Sequence, residues 1–418
     1  MPDSLHRPRP VSPVVAALAL ALLLGLQPLT TDLYLPALPA LTRELQATLP
    51  QAQLTMSVLI LAFGLAQLVW GPVADRWGRR PALLLGLGTY LAASLGALLT
   101  EHIEWLVLMR ALQGVAMAAA VVCARAMIRD LYEPHEGALV MSKGLSGLGL
   151  IAISSPVLGG LLTHAFGWRA AFGAVAAGGA LTLWLIWRHL PETLQQPNPQ
   201  ALAPATLLAN WRRVLAHPQF RAYTLLTSAT YGGLFLFLAG SSFVYIGVLG
   251  LSPTGYGLAA GLCSVSYLIG TFVCRRWLAR VGVAGAVQYA AGFTLAGGAA
   301  MALLALAGVQ TLWALLLPQM LYAFGHGVHQ PCGQAGAVGP FPREAGVASA
   351  LTGFVMALLA FGVGRWLGGA LDGSTRPLAF GIGSFALLTA TIAWTLVRRL
   401  MVAPAALPTP AQTAGARP

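Results

Sequence analysis

The chain alternates long apolar stretches with short polar ones along nearly its whole length. Residues 82–100, "ALLLGLGTYLAASLGALLT", carry no charge, and neither do 377–397 or the far longer run from Ala222 to Cys274. That last run has room for two helices and divides at "LGLSPTGYG", where Gly and Pro turn the chain. The uncharged run from Val281 to Pro342 divides in the same way near "LAGVQT". A helix that crosses a bilayer needs about 20 mostly apolar residues and satisfies its own backbone hydrogen bonds. The pattern therefore predicts spans near 14–38, 54–72, 82–100, 105–128, 141–163 and 168–188. A second set follows near 221–248, 255–274, 283–307, 311–335, 346–370 and 377–397. Twelve spans make an all-α polytopic membrane protein, with lipid as solvent for much of its surface.

Composition agrees: 57% of the 418 residues are hydrophobic and 9% are charged. The net charge of +12 raises nucleic acid as a partner, but the placement of the basic residues argues against it. With the N-terminus in the cytoplasm, inner segments receive Arg7, Arg9, Arg76, Arg79, Arg80, Arg125, Arg129, Lys143, Arg188, Arg212, Arg213, Arg221, Arg275, Arg276, Arg280, Arg343, Arg398, Arg399 and Arg417. Only Arg43, Arg169 and Arg376 fall outside, an asymmetry that sets both termini in the cytoplasm. The first apolar run follows a basic stretch as a secretory signal would, but it leads into further spans and reads as the first of them. Cys123, Cys263, Cys274 and Cys332 show no metal or redox spacing.

The longest polar interruption is residues 191–220, rich in Pro and Gln, with "LLANWRRVL" as a short amphipathic helix on the membrane surface. It separates a six-helix bundle at 1–190 from a second at 221–400, and leaves a Pro/Ala-rich disordered tail at 401–418. "LGGLL" at 158–162 is echoed by "LGGAL" at 367–371, and Glu136 by Glu344, as duplication of a six-span unit predicts.

Charges this sparse stand out where they occur. "GPVADRWGRRP" at 71–81 lies between the second and third spans and holds Gly71, Asp75, Arg76, Gly78, Arg79 and Arg80. Topogenesis accounts for the arginines alone; it needs neither the Asp nor the glycines, which permit a tight turn and close helix approach. Asp75 and Arg79 can pair. The one acidic group well inside a span is Asp32, in "QPLTTDLYLPALPAL", beside Pro28 and Pro36. Such a group is costly unless paired, hydrated or protonated. Arg110 in the fourth span lies at a similar depth from the outer side and offers a partner, directly or through Gln113. Burial and the cation act in opposite senses on the protonation of Asp32, which suits a proton carrier. A structural ion pair remains the alternative.

The pattern Gly, three residues, Asp-Arg, one residue, Gly-Arg-Arg resembles the signature loop of the major facilitator superfamily. "DLYLPALP" at 32–39, "RDLY" at 129–132, "FVYI" at 243–246 and "EAGVASAL" at 344–351 narrow the resemblance to its bicyclomycin-resistance (Bcr/CflA) drug/proton antiporters. The resemblance implies two six-helix bundles working by alternating access. It also implies a cytoplasmic latch that sets Asp75 against the start of span 11 near Gly346, and a proton-transfer role for Arg110 in "RALQG". "SSPVLGG" matches the helix-packing motif of span 5 through Pro156, Gly159 and Gly160, with Ser155 where that motif has Gly.

Asp32, Tyr34, Gln113, Met117, Tyr231, Phe235, Tyr267 and His329 are the candidate substrate contacts. Gly232 and Gly233 mark a place where span 7 can distort to open a cavity. His326, His329 and Cys332 are spaced three apart without a carboxylate, so a relay or a buried neutral His suits them better than a metal. No nucleotide loop is present and no cofactor is expected. The reading is a monomeric, proton-coupled exporter of small amphipathic drugs in the bacterial inner membrane. A dedicated metabolite or peptide carrier of the same fold, or a non-transporting sensor, stands as the alternative.

Overall fold

The structure, a computed structural model, describes residues 11–342 and 344–402. Arg7, Arg9, Arg343 and Arg417 of the topology argument, and the tail from residue 403, lie outside the described residues. Two bundles of six helices pack side by side, and no strand occurs among the described residues.

The first bundle contains Pro13–Glu44, Leu49–Trp77, Arg79–Leu98, Ile103–Leu131, Pro134–Phe166 and Trp168–His189 as spans 1 to 6. In the second, Pro218–Val248 is span 7, and Pro253–Leu306 holds spans 8 and 9. Leu312–Val338, Ala345–Ala370 and Arg376–Leu400 are spans 10 to 12. Spans 8 and 9 have no loop between them. The only non-helical residue in the 54 is Gly282, at φ +67°. A left-handed conformation needs Gly, so one residue reverses the chain at the inner face.

Gly78 does the same between spans 2 and 3, at φ +107°, and caps one helix while opening the next. A Cβ there would also meet Glu192 Oε2 at 2.5 Å. Gly71 is different: nothing lies within 4 Å of its Cβ position, so it serves no close approach in this conformation.

The amphipathic stretch of the linker folds as a helix, Pro204–Ala216. It buries Val214 and ties itself to the start of span 11 through Arg213 Nη1 and Glu344 Oε1, 2.8 Å apart.

Span 1 departs from the expected 14–38. Its α-helix runs from Pro13 to Thr31, breaks into a turn and a short 3-10 segment at Leu35–Ala37, and resumes from Leu38 to Glu44. Pro28 lies inside the first segment, Pro36 in the 3-10 segment and Pro39 in the resumption, and their missing N–H groups remove bonds that would keep the helix continuous. Counting to Glu44 moves Asp32 twelve residues from the outer end, about 18 Å at 1.5 Å per residue. Arg110, seven residues into span 4, still reaches that level, since it hydrogen-bonds Thr30 O and lies over the Tyr34 ring on either side of Asp32 in sequence.

The bundles meet along two seams, spans 2 with 11 and spans 5 with 8. Both depend on missing side chains. Gly64 lies against Ala357, and Gly364 against Ser57; Gly257 lies against the Pro156 carbonyl, and Gly160 has the Pro253 carbonyl 2.5 Å from its Cβ position. On the outer side Gln53 Nε2 donates to Ala239 O across the bundles at 2.7 Å. Tyr34, Leu35, Leu38, Tyr245 and Tyr256, beside the break in span 1, are all fully buried.

Candidate coupling and substrate site

The break in span 1 positions the chemistry. A helix that stops at Thr31 leaves the carbonyls of its last turn without intrahelical partners and presents partial negative charge. Arg110 takes that place. Its Nη1 donates to Thr30 O at 3.1 Å and to Gln113 Oε1 at 3.0 Å, its Nη2 lies 3.4 Å from Met56 Sδ, and its guanidinium sits 4.3 Å from the Tyr34 ring centroid. Gln113 Nε2 donates to Ser94 Oγ at 2.9 Å, Ser94 Oγ to Tyr90 O at 2.7 Å, and Tyr90 Oη shares a 2.5 Å hydrogen bond with Thr30 Oγ1. Spans 1, 3 and 4 are thereby closed into one polar ring, every member of it buried.

The expected direct pair of Asp32 with Arg110 does not form. The helix end competes for the arginine with a carbonyl dipole in reach, and the turn that follows carries the Asp32 side chain elsewhere. Asp32 is half-buried, its Oδ1 2.7 Å from the Thr31 hydroxyl. The 3-10 segment that follows, Leu35–Ala37, packs against spans 7 and 8 of the second bundle.

Across that interface, His326 Nδ1 is 3.1 Å from Thr230 Oγ1, and its ring lies 6.4 Å from Tyr231 and 5.6 Å from Tyr267. Tyr231 and Tyr267 are half-buried, as lining residues are. Other candidates are packed away. Tyr34, Gln113, Met117, Phe235 and His329 are fully buried. Tyr34 hydrogen-bonds Thr55 at 2.6 Å, Phe235 packs beside Gly364, and His329 Nε2 bonds Val287 O at 3.2 Å on the flank towards span 9. Gly232 and Gly233 open no cavity either: they admit the Phe385 ring and the Tyr322 hydroxyl, and the distorted part of span 7 is the π-helical turn at Phe243–Val248.

The motif between spans 2 and 3 works inside the first bundle. Asp75 pairs with Arg79, as its spacing suggests, and Arg79 Nε also reaches Asp130 Oδ2 at 3.3 Å. Glu192 accepts from the backbone N–H groups of Arg79 and Arg80 at 2.9 and 3.0 Å, which open span 3. Arg80 binds the carbonyls of Leu190 and Trp187, while Arg76 is exposed. The expected contact of Asp75 with span 11 near Gly346 is absent from the hydrogen bonds of the described residues: Glu192 supplies the helix-capping carboxylate, and the helix it caps is span 3. Glu192 and Asp130 carried no signal in the sequence beyond lying at the inner ends of spans.

In span 5 the glycines divide their work. Gly159 lies against Leu33 O in span 1, and Gly160 against Pro253 and Thr254 in span 8, with Thr254 Cα 3.0 Å from its Cβ position. Span 5 thus touches the broken first span on one face and the other bundle on the next.

The Major Facilitator Superfamily matches residues 20–364. Multidrug resistance protein D of Escherichia coli (strain K12) is 30% identical, over 80% of this chain and 84% of its own length. The bicyclomycin resistance protein homolog of Haemophilus influenzae is 26% identical over 93% of this chain and 97% of its own. A chloramphenicol resistance protein of Pseudomonas aeruginosa is 29% identical over 77% and 75%. Among solved structures, a bacterial homolog of the human lysosomal transporter Spinster superposes with a TM-score of 0.72 at 15% identity, covering 94% of this chain and 99% of its own. The xylose transporter of E. coli gives 0.71 at 13%, covering 91% and 97%. These two speak for the fold. The chain belongs to the Major Facilitator Superfamily, in its bicyclomycin-resistance (Bcr/CflA) branch.

Proposed function

We propose that this chain is a proton-coupled exporter of small amphipathic drugs, working as a monomer in the bacterial inner membrane with both termini in the cytoplasm. The printed names of its relatives, which include multidrug, bicyclomycin and chloramphenicol resistance, support the drug class. The observation that carries the coupling is the place of Asp32: a half-buried carboxyl at the break of span 1, where the segment that follows packs against spans 7 and 8 of the opposite bundle.

A charge at that interface disfavours dry closure and a neutral carboxyl permits it, so protonation and bundle movement bias one another. Arg110, held to the helix end, keeps the break in shape and supplies fixed positive charge behind it. Drug entering from the cytoplasm meets the deprotonated site. Protonation from outside releases it, and proton loss inward restores the site for the next molecule. Asp75, Arg76, Arg79 and Arg80, with Gly71 and Gly78, form the inner latch. In the closed-outside arrangement it is engaged with Asp130 and Glu192, and we assign its contact with span 11 to the opposite state.

The test is proton release from detergent-solubilised protein on drug addition, comparing wild type with Asp32→Asn. Release that disappears in the variant is expected. Drug binding without release in the wild type would overturn coupling at a shared site.

A further inference from the structure

Span 10 has one polar face. At 3.6 residues per turn, positions seven and eleven apart return to the same side of a helix, which aligns Gln319, His326 and Gln330. The neighbours of span 10 show where that side points. Span 8 covers the flank of Phe324 and Gly327, through Gly270 and the Tyr267 carbonyl. Span 9 covers the opposite flank, through Gly325 against Thr294 and His329 against Val287. Span 7 touches Gly333 through Thr227, and His326 through Thr230. The stripe thus faces the gap between spans 7 and 8, the same gap in which Tyr231 and Tyr267 flank His326.

Polar atoms on this stripe have no protein partner. Gln319 is fully buried with neither Nε2 nor Oε1 hydrogen-bonded, and Gln330 Oε1 is buried without a partner. A buried amide left this way is destabilising, and a protein retains one where something else completes it. The wall around it carries no charge: from Ala222 to Cys274 and from Val281 to Pro342 there is no Asp, Glu, Lys or Arg. It can offer hydrogen bonds and aromatic faces, but no ion pair.

Resting on the reading of the chain as a drug exporter, we infer that the Gln319, His326 and Gln330 stripe is the specificity wall of the second bundle. It takes the amide and hydroxyl groups of an uncharged amphipathic substrate and leaves a cation without hydrogen-bonding groups to Asp32 alone. Each such substrate group completes a buried amide that no neighbouring side chain completes, which is where hydrogen-bonded sites discriminate most strongly.

The test is uptake into inverted vesicles energised by a proton gradient, with chloramphenicol as the neutral hydrogen-bonding probe and tetraphenylphosphonium as the cation that forms none. In Gln319→Leu, Gln330→Leu and His326→Phe the KM for chloramphenicol should rise about three- to tenfold while that for tetraphenylphosphonium stays within about twofold. The unfolding temperature of the two Leu variants should not fall, since an unpartnered amide has been removed; a packing role would lower it. Gln319→Met keeps the side-chain length if Leu does not fold. Equal loss for both probes, or an unmoved chloramphenicol KM in all variants, would overturn the inference. Wild-type uptake of tetraphenylphosphonium without chloramphenicol would overturn it and leave the exporter reading standing. Uptake of neither would remove both.

Discussion

Arg110 stacks on Tyr34, guanidinium 4.3 Å from ring centroid, and spends its hydrogen bonds on the end of the first helix segment through Thr30 O. Asp32, the carboxyl expected to pair with it, hydrogen-bonds the Thr31 hydroxyl instead.

That division predicts an asymmetry between the two residues. Arg110→Lys keeps the charge but gives up the planar fork that serves Thr30, Gln113 and the Tyr34 face together, so it should behave nearly as badly as Arg110→Ala. Stranding the ring of buried polar groups should cost on the order of 3 kcal/mol, visible as a lower unfolding temperature of solubilised protein. Asp32→Asn should leave the unfolding temperature and membrane abundance at wild-type values while abolishing proton-driven uptake. An Arg110→Lys protein as stable as wild type would contradict the capping role.

At the inner face, Asp75→Asn and Asp130→Asn should separate. Arg79 contacts both carboxylates, so neither change leaves it alone. If Asp75 trades its partner for span 11 in the other state, Asp75→Asn should cut transport about tenfold at normal abundance, the size of one lost charge-assisted bond. Asp130→Asn, which faces Thr193 and the first bundle only, should lower thermal stability first. Transport assays beside thermal unfolding of both variants decide this, and unchanged transport in Asp75→Asn would count against the latch.

The seam of spans 5 and 8 has no room for a side chain at Gly160 or Gly257. Gly160→Val and Gly257→Val should hold the outer halves apart, so that a cysteine placed at Ser241, now buried against Tyr256, becomes reactive to an impermeant thiol reagent from outside. Transport should fall by more than tenfold, roughly the effect of a 1.4 kcal/mol bias or larger between the two states. Gly71→Ala, with open space about it in this conformation, should leave that cysteine protected.

The charge in the linker gives a milder expectation. Arg213 meets Glu344 at the start of span 11 with both partners partly exposed, so Arg213→Ala should shift stability by less than about 1 kcal/mol and lose even that effect in high salt. A large loss of transport there would mean that the linker helix steers span 11.

Hydrophobic pattern and charge placement were sufficient for the spans, because lipid leaves the backbone no spanning alternative to a helix and the signals are local. Gly78 and the prolines at 28 and 36 marked a reversal and a weak helix for the same reason: a φ above zero and a missing N–H are properties of single residues, although Gly282, which reverses the chain in the same way, was not singled out. The motif at 71–81 likewise announced the Asp75 and Arg79 pair, four residues apart on one helix. What followed the break in span 1 was not local. Whether Arg110 would choose the carboxylate of Asp32 or the carbonyl end created two residues earlier depends on the direction in which the broken helix turns. That direction is decided by packing against Leu33, Gly159 and the second bundle. The same holds for Glu192 capping span 3 from more than a hundred residues away, and for Gln319 and Gln330, whose meaning lies in partners that no neighbouring helix provides.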